Sequence, residues 1–112
     1  MKKLITAVVL SLSLLPTAQA TELTRAEIAY CNAMGNFAAS VMKDRQNGVS
    51  ILKHVEMMET KAVDVKLKSL IEVIVVNAYM KQIESTPRYK SIAIAEYNVS
   101  TRKTCIASME IK

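Results

Sequence analysis

The chain holds only two cysteines, Cys31 and Cys105, near opposite ends of its 112 residues. Whether they are joined limits the fold more than any other feature, and the first twenty residues bear on the answer. Lys2 and Lys3 open the chain, Leu4 to Leu15 is uncharged and mostly apolar, Pro16 breaks that run, and Ala18-Gln19-Ala20 follows. A positive start, an apolar middle and a small-x-small end form the layout of a secretory signal peptide. As a helix, Leu4 to Leu15 would reach about 18 Å, short of the roughly 30 Å of a hydrocarbon core, so the run reads as a leader and not as an anchor. The expected division is a cleavable leader over 1–20, cut near Ala20, and a single domain over 21–112. Export would carry the protein to the periplasm or outside the cell, where an even number of cysteines reads as a disulfide. In the chain-entropy account, closing a loop of this length contributes about 4 kcal/mol, comparable to the whole net stability of a small domain. The two cysteines and the distant His54 lack the spacing of a metal site, and no Cys-x-x-Cys redox pair occurs. Neither a metal nor a cofactor is expected.

Charge narrows the partners. The full chain carries a net charge of +5. Losing Lys2 and Lys3 with the leader leaves thirteen basic against ten acidic residues, a mild excess of three. The basic residues are scattered, and only one phenylalanine, four tyrosines and no tryptophan are present to stack on bases. Nucleic acid is therefore not an expected partner. Weak contact with an anionic membrane surface, or with an acidic protein, is compatible with the charge.

Helical signals dominate the remaining chain. Thr24 and Glu27 fit a capping box. Ile28, Cys31, Phe37, Ala38, Val41 and Met42 then follow a helical stripe that places Cys31 on a buried face. Gly35 inside this helix suggests a close helix contact, and Asn47-Gly48 reads as its stop, with Lys43 and Arg45 suited to the negative end of the dipole. Ser50 is a candidate cap for a short helix with Ile51, Leu52, Val55 and Met58 on its apolar side. A turn is expected within "METKAVDVK". Val63, Leu67, Leu70, Ile71, Ile74, Val75, Ala78 and Tyr79 trace a third helical face. The β-branched run from Ile71 to Val76 offers a strand as a rival, but the period extends beyond strand length. Pro87 breaks the chain at Thr86. The last helix would carry Ile94, Tyr97, Thr101, Cys105 and Ser108 on one side, with Ala95, Val99, Arg102 and Ile106 beside them. The expected fold is all-α: about four helices, three long and one short, closed by a disulfide that sets the first and last antiparallel.

No catalytic constellation emerges, and the chain reads as a binder and not as an enzyme. His54 is the only histidine and reads as a surface or half-buried residue. Asp44 with Arg45, and Glu56 with Glu59, read as helix-surface charges. Phosphate loops, dinucleotide fingerprints and hydrolase motifs are missing from the sequence. The methionines read as core filling, except that the adjacent Met57 and Met58 cannot both face one core, so one is a candidate for partner contact. Tyr79 and Tyr89 flank the proline turn with Arg88 between them, the residue types that anchor interfaces.

Cys31, Ala38, the Arg45-Gln46-Asn47-Gly48 stop, Ala78-Tyr79, the Pro87 and Tyr89 turn and Cys105 together resemble a family of small exported helical proteins of proteobacteria and their phages. The likeness spans residues 31 to 105. It implies export, helices and one disulfide, and it supplies no assigned activity. It also marks Arg45-Gln46 as more than a helix end, with Arg45 capping carbonyls or pairing with a tyrosine near the proline turn. This chain departs from the pattern by inserting Met80 to Ser85 before that turn.

These readings converge on an exported helical module that engages a protein of the cell envelope as a regulator or inhibitor. Arg45, Gln46, Met57, Met58, Tyr79, Arg88 and Tyr89 are its candidate interaction surface. A periplasmic chaperone or stress protein, or an envelope-associated protein such as a phage superinfection-exclusion factor, is the rival reading by likeness of architecture.

Overall fold

A computed structural model describes residues 23–60 and 64–110. The leader with its expected cleavage site, and Val63 of the third apolar face, lie outside those residues. Four helices follow in order: α1 over Arg25–Gln46, α2 over Leu52–Thr60, α3 over Val65–Tyr79 and α4 over Pro87–Glu110. No strand occurs among the described residues, so the β-branched run Ile71–Val76 is helical.

Local chemistry sets the ends. Thr24 Oγ1 accepts from the Glu27 N–H at 3.0 Å, and Glu27 Oε1 accepts from the Thr24 N–H at 3.1 Å, which closes the capping box. At the other end of α1, the Gly48 N–H donates to the Arg45 carbonyl, and Gly48 takes a φ of 78°. A side chain at that φ would be strained, so glycine ends the helix there. Ser50 Oγ accepts from the Leu52 N–H at the start of α2. Pro87 occupies the first position of α4, where a missing N–H removes no helical hydrogen bond.

Cys31 and Cys105 are bonded, with their α-carbons 5.4 Å apart. The same antiparallel register continues along α1 and α4, where Asn98 Nδ2 donates to Asn36 Oδ1. A β-carbon on Gly35 would stand 2.6 Å from Asn98 Oδ1 and 3.0 Å from the Asn98 carbonyl oxygen. Gly35 thus permits the close approach expected of it. The core gathers where α1 meets α3: Val41 and Met42 pack with Val75 and Ala78, surrounded by Phe37, Ile51, Ile71, Tyr79, Ile94 and Tyr97.

Some expected faces differ. Ile28, Leu52 and Val99 are exposed, and Phe37, Leu67, Ile71 and Tyr79 are only half-buried. No residue of α4 is fully buried. The reason is the helix arrangement: α3 and α4 each pack on α1 and only slightly on each other, so each keeps an open flank. His54, expected at or near the surface, is instead 6% exposed. It is drawn in by Asp44 and Tyr79, neither of which is near it in sequence.

Candidate functional site

Two features stand out, and they differ in kind. The first is a polar corner where the end of α1 meets the segment between α3 and α4. Arg45 Nε donates to the Lys81 carbonyl at 2.9 Å, and its guanidinium carbon lies 5.6 Å from the centre of the Tyr79 ring. Arg45 therefore both caps a carbonyl and pairs with a tyrosine. Gln46 is 1% exposed. Its Nε2 donates to the Gln82 carbonyl at 3.0 Å, and its Oε1 accepts from the Glu84 N–H at 2.7 Å. One side-chain amide thus satisfies a donor and an acceptor of a distant loop. Residues 80–85, between α3 and α4, supply those loop groups.

Tyr79 Oη donates to the Val49 carbonyl at 2.9 Å, and the His54 ring meets Tyr79 edge-on at 5.8 Å. His54 Nε2 lies 3.1 Å from Asp44 Oδ2, within ion-pair range when the ring is protonated, but without hydrogen-bond geometry. Lys53 Nζ lies 3.6 Å from the same oxygen. Burial raises the Tyr79 pKa, the Asp44 carboxylate adds to the rise, and Arg45 opposes it. Burial likewise raises the pKa of Tyr97, whose hydroxyl donates to the Ile74 carbonyl.

The corner brings together Arg45, Gln46 and Tyr79 from the residues the sequence singles out. It holds a loop in place, and Gln46 has no surface to offer a partner. Met57 and Met58 lie on α2, the first exposed and the second half-buried, while Arg88 and Tyr89 stand exposed in the first turn of α4. Among the described methionines, Met80 is the most open at 76% exposure and Met42 is buried.

The second feature is apolar. A groove of about 340 Å³ opens between α3 and α4 beside α1. Tyr30 and Met34 of α1, Leu70, Val73 and Ile74 of α3, and Tyr97 of α4 supply its apolar walls. Ser100, Thr101, Thr104 and Ser108 add hydroxyls along α4, and the groove reaches the disulfide at Cys105. Its α3 wall continues onto an uncovered face. Val73 is 54% exposed, Val76 49%, and Met80 76%. Lys66, Ser69, Val73 and Val76 of α3 and Met80 at its C-cap recur at alternating steps of three and four, the spacing of a helix seam. Lys66 and Lys81 are exposed near its two ends, and Lys68 is half-buried. The sequence reading overlooks this second face, although α3 has more apolar residues than one buried stripe requires.

No helix among the described residues is long and apolar enough to cross a membrane. No group of three or more His, Cys, Asp or Glu among them is placed to hold a metal ion. Among the described residues, the fold and its surface define a disulfide-closed all-α bundle whose α3 helix carries an uncovered apolar face. Comparison with protein-family models, with curated proteins and with solved structures yields no match.

Proposed function

We propose that this protein is an exported helical binding module, acting in the periplasm or outside the cell, that engages a protein of the cell envelope as a regulator or inhibitor. One observation carries the reading: the apolar face of α3 stays uncovered beside the groove. Contiguous exposed apolar surface is costly in water and marks places where something binds. The disulfide supports the same reading, because a braced bundle loses little freedom on binding. The signal layout at residues 1–20 supports export, and the resemblance to small exported proteins agrees with it. On this reading the protein binds and does not catalyse.

The test uses tagged, oxidised mature protein and a Val73→Asp, Met80→Asp variant, each incubated with solubilised cell envelope. The partner recovered is identified, purified and bound again. The expected result is one stoichiometric partner for the unaltered protein and binding at least about tenfold weaker for the variant. A partner bound equally by both would overturn the assignment to α3. Many weak clients would replace the regulator with a chaperone.

A further inference from the structure

We infer that this protein pairs with a second copy of itself, α4 against α4 and antiparallel, about a two-fold axis at Val99. The pairing uses a different surface from the α3 face and stands independently of the envelope partner.

Three observations on the outer flank of α4 carry it. The first is position. Arg88, Ile92, Glu96, Val99, Lys103, Ile106 and Glu110 recur at steps of three and four. At 3.6 residues per turn they fall within about 80° of the helix surface. Ile106 is half-buried and the other six are exposed. None of them lines the groove that α4 shares with α3. The second is charge. Arg88, Glu96, Lys103 and Glu110 supply two charges of each sign, and none has an ion-pair partner among the described residues. The third is shape. A shallow depression lies at the middle of this seam, where Ala95, Ser100 and Thr104 surround Val99. Small side chains there let another helix come close.

An antiparallel pair centred on Val99 matches the seam to itself. Val99 meets Val99 of the other copy. Ile92, seven positions before it, meets Ile106, seven positions after. Arg88 and Glu110, eleven positions to either side, meet as opposite charges. Glu96 lies three positions before and Lys103 four after, within one residue of a direct match. Every charged contact joins opposite signs, and the two-fold makes each contact twice and closes the assembly. The alternatives fail on the same residues. A parallel pair in register sets each charge on its own kind. Sliding the antiparallel pair by one heptad sets Arg88 on Lys103 in one direction and Lys103 on Arg102 in the other. Such like-charge contacts reject the wrong register. The apolar residues supply the association, and the ion pairs, weak singly at an exposed site, select the arrangement.

The test is sedimentation equilibrium of the oxidised mature protein from about 10 μM to 1 mM, where a monomer–dimer equilibrium is expected. Glu96→Lys and Lys103→Glu variants each set like charges at two contacts and should dimerise at least about tenfold more weakly. Mixed together, the two variants regain opposite charges at both contacts, and a heterodimer about as tight as the original dimer is expected. Mixing does not repair a misfolded variant, so recovery separates lost pairing from lost folding. The Val73→Asp, Met80→Asp variant should dimerise like the unaltered protein. A monomer at every concentration overturns the inference. So does a dimer that ignores both α4 charge changes, or single variants that stay monomeric when mixed. A dimer broken by the α3 substitutions would place the second copy on α3 and overturn it as well.

Discussion

At Gly35 a hydrogen is all that fits between α1 and α4. Alanine is the better helix former by about 1 kcal/mol. Here its β-carbon would press on the Asn98 backbone oxygen as well as its side chain, and backbone cannot swing away. Gly35→Ala should therefore destabilise by about 1–3 kcal/mol in urea unfolding, and a higher melting temperature would contradict the close packing. Gln46→Ala leaves the Glu84 N–H and the Gln82 carbonyl without their partner. The expected cost is about 2 kcal/mol, with faster amide exchange at Glu84 as its local mark. For Arg45 the sequence itself shows a cation suited to the end of a helix, and its cap-or-tyrosine role comes only from the resemblance, since its partners Lys81 and Tyr79 are distant in sequence. Gln46 also binds groups 36 and 38 positions away, and nothing in its local sequence marks it as buried. His54 is misread for the same reason, since its burial depends on Asp44 and Tyr79 from other elements.

Tyr79 and Tyr97 predict the alkaline behaviour. Both phenols have pKa values above the ordinary 10.0 in the folded protein, chiefly from burial. The folded state therefore holds these protons more tightly than the unfolded state. Stability should be level with respect to these groups below about pH 10 and should fall as pH rises above it. Melting curves between about pH 8 and 11 test this, and Tyr97→Phe should flatten the alkaline decline. An equally steep decline in that variant would place the effect elsewhere.

The helices themselves are the most legible level, because their boundaries depend on nearby residues. The Thr24–Glu27 box, the Gly48 stop and Pro87 each act within one turn, and all three mark observed boundaries. Burial is less legible. A periodic stripe shows which side of a helix is apolar but not how many neighbours arrive to cover it, and α4 rests chiefly on α1. The disulfide braces that pair from its outer end. Cys31→Ser or Cys105→Ser should lower stability by up to about 4 kcal/mol and sharply reduce the melting temperature of the oxidised protein. Unchanged melting of both variants would remove the bridge from the account of stability.

For the molecule as a whole, three helix-length layers cannot cover every apolar face of a domain this small. One face left open belongs to α3, the most apolar helix, whose inner side builds the core with Val75 and Ala78 while Val73 and Val76 look outward. The two-sided composition of Leu70 to Val76 was visible as a β-branched run, but only the packing of α1, α3 and α4 shows which side is left open. The polar corner and this face divide the work: Arg45, Gln46 and Tyr79 fix the loop that follows α3, and α3 presents its seam beside the groove.

The most direct measurement places a photoreactive amino acid at Val76 and, as a control, at Ser40 on the outside of α1. Illumination of cells that produce each protein would trap whatever touches these positions. A single adduct at Val76, identified by mass spectrometry, reproduced with the purified partner and missing at Ser40, is the predicted result. Adducts of the same pattern at both positions, or an adduct at Ser40 alone, would contradict the claim that α3 is the binding face.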